Sequence, residues 1–232
     1  MKKALKPFKQ FLGDHLPDRN NDIPLFVHPS VIMDSFDNSK SKFFYNCLVE
    51  NKSSIPTRGE QYWCDILNCE DVTFKGVYQK KLKRVTDMKL AEFNFKVLHK
   101  ILPCNSNLKS WKCKPNSDCD ICKVTEDIPH LLFYCNFARM IWNELKDKCS
   151  INVDIRDIVL GDKLNDIDNF IVCSVSYFIY KRWLKNSFDN VPRENTTAML
   201  LLKSYLNYTH DVYFHLKKFN LCLRLQHIIS CL

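Results

Sequence analysis

Cys119-Asp120-Ile121-Cys122, followed by His130 and then Cys135, has the spacing C-x2-C-x7-H-x4-C. Three thiols and one imidazole within seventeen residues make a complete ligand set for one tetrahedral zinc. A C-x2-C turn brings two sulfurs to one metal with little backbone strain. The seven-residue spacer lets the chain turn back and present His130 from a helix. Cys135 then closes the shell and leaves no position for water, which is the form of a structural site and not a catalytic one. The competing reading is a set of unliganded buried thiols. Twelve cysteines make one C-x2-C pair unremarkable, but they do not account for a His and a further Cys at workable distances downstream.

The same stretch sets a local geometric problem. Thr125 or Asp127 can cap a helix here, and Pro129 fits its first turn. His130 and Cys135 are five residues apart, and a regular α-helix places such a pair about 140° apart around its axis. Both reach one metal only if the helix stops or distorts, so a break is expected at 134–136, with Asn136 capping a fresh helix. Phe137, Ile141 and Leu145 form the apolar stripe of that helix, flanked by Met140 and Trp142.

Outward from this centre, the 232-residue chain is 46% hydrophobic, enough for one or two domains with real cores, and it has only four glycines. So few turn formers argue for a mainly α fold: a helical domain built around a small Cys3His module. No apolar run is long enough to span a bilayer, and the basic N-terminus lacks the apolar core of a signal peptide. Twelve cysteines without a secretory signal point to a reducing, intracellular compartment, nucleus or cytoplasm. Cys47, Cys64, Cys69, Cys173, Cys222 and Cys231 read as small buried hydrophobes. Cys104 and Cys113 are alternative ligands without a partner at C-x2-C spacing.

The net charge of +8 is not spread evenly. Residues 75–123 hold twelve Lys/Arg against four Asp/Glu, so the whole excess precedes and enters the C-x2-C turn. A basic segment beside a zinc module suits a polyanion, RNA or DNA, although a solvated lysine-rich face has the same composition. Lys80, Lys81, Lys83, Arg84, Lys109, Lys112 and Lys114 are the candidate phosphate contacts. Trp111, set among lysines, reads either as a platform for an unpaired base or as packing on the zinc module.

Three segments emerge. Residues 1–60 are an irregular, linking stretch punctuated by prolines. Residues 61–149 are a basic helical segment plus the zinc module. Their clearest helix runs from about Thr86 to Leu102, with Leu90, Phe93, Val97 and Ile101 as its stripe and Pro103 as its end. Residues 150–232 are a helical segment. An amphipathic helix carries Ile167 to Trp183, and a second, starting at Pro192, carries Met199 to Leu216, together a C-terminal helical hairpin.

The segment Lys89-Leu90-Ala91-Glu92-Phe93-Asn94-Phe95-Lys96-Val97-Leu98-His99-Lys100-Ile101-Leu102-Pro103-Cys104-Asn105 resembles the C-terminal zinc-binding region of non-LTR (LINE-type) retrotransposon reverse transcriptases. So does Cys119-Asp120-Ile121-Cys122 followed by Asp127-Ile128-Pro129-His130-Leu131-Leu132-Phe133-Tyr134-Cys135, with Trp142 a few residues on. The likeness covers about 60–145 and is looser over the tail. It implies structural Zn2+ on Cys119, Cys122, His130 and Cys135. It also implies a non-catalytic segment that holds template RNA or target DNA during target-primed reverse transcription. The polymerase and nuclease motifs of that family do not occur: the chain has no two adjacent aspartates. The chain therefore reads as the C-terminal portion alone, with a reverse transcriptase domain on another chain as a further expected partner. The alternatives are a structural domain that packs on a polymerase or host protein, and a decayed fragment without function. A zinc deaminase is disfavoured by the filled ligand shell and by Glu126, the nearest glutamate, which lacks an H-x-E context.

Overall fold

Thr57 opens the first helix through a reciprocal cap. Its hydroxyl accepts from the Glu60 N–H at 3.2 Å, and the Glu60 carboxylate accepts from the Thr57 N–H at 2.6 Å. Helix α1 (Arg58–Leu67) follows, and Asn68 ends it in the left-handed region at φ 46. The computed structural model describes residues 57–69, 72–83, 85, 87–189, 191, 193 and 195–232. These fall within one compact unit, Pro56–Leu232. The linking segment expected at 1–60 thus lies outside the described residues up to 56, while 57–60 belong to α1. Residues on both sides of 149–150 contribute to one buried cluster.

The described residues are mainly helical and contain no strand; Asp118 and Thr125 form an isolated antiparallel bridge. After α1 come α2 (Phe74–Tyr78), which runs into a π-helical turn (Gln79–Lys83), then α3 (Met88–Leu98) and α4 (Asn105–Ser110). A second π-helical turn (His130–Tyr134) leads into α5 (Asn136–Cys149). The tail holds α6 (Ile155–Val159), α7 (Asp166–Asp189), α8 (Asn195–His215) and α9 (Phe219–Cys231).

Asp87 caps α3 by accepting from Lys89 N–H and Leu90 N–H. The helix stops four residues short of Leu102 because Lys100 takes φ 57. Lys100 N–H donates to Val97 C=O and Ile101 N–H to Lys96 C=O, the paired bonds of a Schellman end. Ile101, expected on the buried stripe, is therefore 45% exposed, while Leu102 beyond the turn is fully buried. Gly59 makes close contact with this end: a Cβ there would lie 2.3 Å from the Leu98 carbonyl oxygen.

Helix α7 departs from the expected one-sided pattern. Every residue from Asn169 to Ser176 is buried, so its first half is surrounded. Two of its polar residues are satisfied internally: the Ser174 and Ser176 hydroxyls donate to the carbonyls of Phe170 and Val172, each at 2.8 Å. The hairpin expected between the helices now seen as α7 and α8 is not the main pairing of the tail: α8 packs most extensively on α9, a helix the periodicity did not single out. Lys217, at φ 58, ends α8 where the periodicity had continued through Leu216. Pro192, the expected start of that helix, lies outside the described residues. No described helix is long and apolar enough to cross a membrane.

Candidate metal centre

Two short elements hold the four ligands. In the first, Ser117 to Glu126 form a tight loop. Cys119 N–H donates to Val124 C=O, Glu126 N–H to Ser117 C=O, and Lys123 N–H back to Cys119 C=O. Lys123 sits at φ 59, which turns the chain directly after Cys122. Asn105 of α4 anchors this loop through its side-chain amide, 2.8 Å from the Asp118 carbonyl.

The second element resolves the 140° problem. Asp127, not Thr125, provides the cap, accepting from His130 N–H at 2.8 Å; Thr125 is engaged in the bridge with Asp118. The helix then widens, and Cys135 N–H bonds to His130 C=O at 2.6 Å, an i→i+5 link. The extra residue in that turn lets His130 and Cys135 face the same point. Cys135 leaves helical geometry at φ −60, ψ 139, so the expected break occurs. Cys135, not Asn136, is the boundary residue of α5, and the Asn136 N–H donates to Cys122 Sγ at 3.3 Å. Trp142 Nε1 donates to the Leu132 carbonyl at 2.8 Å and fixes α5 against the widened turn.

The ligand atoms of Cys119, Cys122, His130 and Cys135 all lie within 4.8 Å of one another. Cys119 Sγ and Cys122 Sγ are 3.7 and 3.9 Å from Cys135 Sγ. A tetrahedral zinc with bonds of about 2.3 Å to sulfur sets its sulfurs about 3.8 Å apart, so the spacing fits. It is far too long for a disulfide, and all the described cysteines are free. His130 is buried, and its Nε2 has no hydrogen-bond partner, an orphaned nitrogen that a metal would satisfy. The pKa of the Cys119 thiol is lowered. The Cys135 thiol, and then the N–H groups of Cys122 and Ile121, favour its thiolate, while Cys135 is pushed up beside it. Cys104, fully buried, and Cys113, exposed, stand outside the cluster.

Residues 40–142 match the family described as zinc-binding in reverse transcriptase. This region of reverse-transcriptase type contains all four candidate ligands and ends within α5. No curated protein and no solved structure matches the chain. The family match and the Cys3His cluster together support a zinc-binding module.

The basic candidates divide. Lys81 is buried in the core, where its Nζ donates to the carbonyls of Asp157 and Ile158 at 3.1 and 2.8 Å and lies 3.6 Å from Cys173 Sγ. Burial pushes its pKa below the ordinary lysine value. Lys80 Nζ donates to the carbonyls of Gly161, Asp162 and Leu164. These two lysines close the C-terminal end of α6 and the loop after it, so their ammonium groups are engaged within the fold. Sequence could not separate them from their neighbours, because the carbonyls they satisfy are roughly eighty residues away. The Lys83 side chain and Arg84 lie outside the described residues. Lys114 is half-buried, with Nζ on Asn105 Oδ1 at 2.8 Å. Lys109 and Lys112 are exposed on either side of Trp111, itself 46% exposed.

Three further residues escaped the sequence reading. Glu126 and Arg193 are buried beside the thiols, with Arg193 Nη2 3.6 Å from Glu126 Oε2. Trp183 Nε1 donates to Glu126 Oε1 at 2.5 Å. Burial, then the Cys119 sulfur, push Glu126 up to about 8, against the pull of Arg193. Trp183 and Arg193 belong to the tail, and nothing in their local sequence marks them as neighbours of a cysteine turn.

Proposed function

We propose that this protein is a non-catalytic, zinc-stabilised nucleic-acid-binding module of LINE-type reverse transcriptase character. The observation that carries the reading is the exposed Trp111 between exposed Lys109 and Lys112, at the end of a helix tied to the cysteine loop. Zinc on Cys119, Cys122, His130 and Cys135 would fix that loop, and so the surface beside it. An indole face can stack on an unpaired base while flanking ammonium groups neutralise phosphates. Such contacts hold RNA or DNA strongly but read little sequence. Template RNA or target DNA during target-primed synthesis, inside the cell, is the setting that the resemblance suggests.

The test is fluorescence anisotropy of the zinc-loaded chain with a short structured RNA and a DNA duplex over a salt series. Binding should weaken steeply with salt. Lys109→Glu/Lys112→Glu should flatten the slope by about 2 and leave thermal stability unchanged. Absence of binding at low salt overturns the reading. A second reading, a domain that packs on a polymerase, is favoured by apolar side chains exposed on α8 and α9, among them Leu200 at 71% and Leu223 at 66%.

A further inference from the structure

Arg193 stands in the connection between α7 and α8, far along the chain from the ligands, yet its guanidinium lies against two of them. Nη2 is 3.8 Å from Cys119 Sγ, and Nη1 is 4.0 Å from Cys135 Sγ. The arginine side chain is 1% exposed and that of its counter-ion Glu126 0%. Trp183 in turn holds Glu126 through its indole N–H. A charged side chain is not buried this deeply without a compensating partner. Glu126 is one partner, 3.6 Å from Nη2, but both Nη2 and Nη1 also lie against sulfur.

Three thiolates and a neutral imidazole around Zn2+ carry a net charge of −1, and three of the four ligands are buried. A cation aimed at two of the three sulfurs offsets that charge locally, at the ligand atoms themselves. It also favours the deprotonated sulfurs that metal binding requires. Resting on the zinc reading above, we propose that Arg193 is a positioning residue of the metal centre, which makes the tail part of the site. Arg193 retains zinc by placing its guanidinium on the Cys119 and Cys135 sulfurs. Glu126 and Trp183 hold that guanidinium in register. The cysteine loop and the widened helical turn supply the ligands, and the tail supplies the cation beside them.

The experiment compares the wild-type chain with Arg193→Met and Arg193→Lys, loaded with zinc and separately with cobalt. Zinc transfer to a chromophoric chelator should be roughly 10–100-fold faster in Arg193→Met, the usual range for loss of a partner behind the ligands. In the cobalt form, sulfur-to-metal charge transfer should move to longer wavelength, because the sulfur lone pairs lose a stabilising cation. Arg193→Lys should recover part of both effects. A general loosening of the fold would not shift that band while helix content is unchanged.

Arg193→Met leaves Glu126 buried without its counter-ion and could fail to fold for that reason alone. In that case Glu126→Gln and Glu126→Gln/Arg193→Met are compared, and the same two readings decide. Metal release and band position unchanged by loss of the arginine overturn this proposal alone. A wild-type chain that takes up neither metal overturns the zinc reading and this proposal with it.

Discussion

Replacing Lys81 by Met should destabilise the protein without touching any nucleic-acid surface. Methionine retains the length and much of the volume of the lysine stem, so the change removes the ammonium and little packing. That ammonium donates to the carbonyls of Asp157 and Ile158, which lie in the last turn of α6. Helix ends leave such carbonyls without intrahelical partners, and a cation there also suits the helix dipole. Orphaning a buried carbonyl costs about 1–3 kcal/mol, so two give a gross loss of about 2–6 kcal/mol. The variant no longer buries a charge, which offsets part of this. The net expectation is about 3 kcal/mol, or a Tm lower by about 6–12 °C for a domain of this size. Urea denaturation followed by circular dichroism, with Tm read in parallel, measures it. A Lys81→Met protein within about 0.5 kcal/mol of wild type refutes the reasoning, as does one of normal stability that binds RNA poorly.

Gly59→Ala should cost about 1–3 kcal/mol in the same assay, because the new methyl would sit 2.3 Å from the Leu98 carbonyl oxygen and backbone must move. Lys217→Gly should stabilise by about 1 kcal/mol, since the exposed lysine at φ 58 holds a left-handed conformation that glycine adopts freely. Arg156 lies 2.7 Å from Asp162 and holds its carboxyl below the ordinary 3.8. The pair's contribution is therefore complete above about pH 4 and lost as pH falls through the lowered value. Thermal melts between pH 2 and 6 should show Asp162→Asn losing that acid-side dependence, and identical slopes in the two proteins would count against the pair.

The sequence by itself determined what depends on neighbours along the chain. The ligand spacing C-x2-C-x7-H-x4-C, the need for a break between His130 and Cys135, and the stripe Phe137–Ile141–Leu145 are all local. The structure has each of them, and the fold is mainly helical as the scarcity of turn formers implied. Even there the means of bringing His130 and Cys135 together, a widened turn closed by an i→i+5 bond, is a choice between a stop and a distortion that periodicity does not make.

What only tertiary structure decided is the role of each charge. A lysine is written the same way whether its ammonium faces water, as at Lys109, or closes a helix end, as at Lys81. Which of these holds depends on where α6 docks. Arg193 joined the metal centre for the same reason: helix α7 runs through the core and returns its far end to the cysteines. Hydrophobic periodicity reports which face of a helix is buried, but it does not say against what. Long-range polar contacts are fixed by that missing partner.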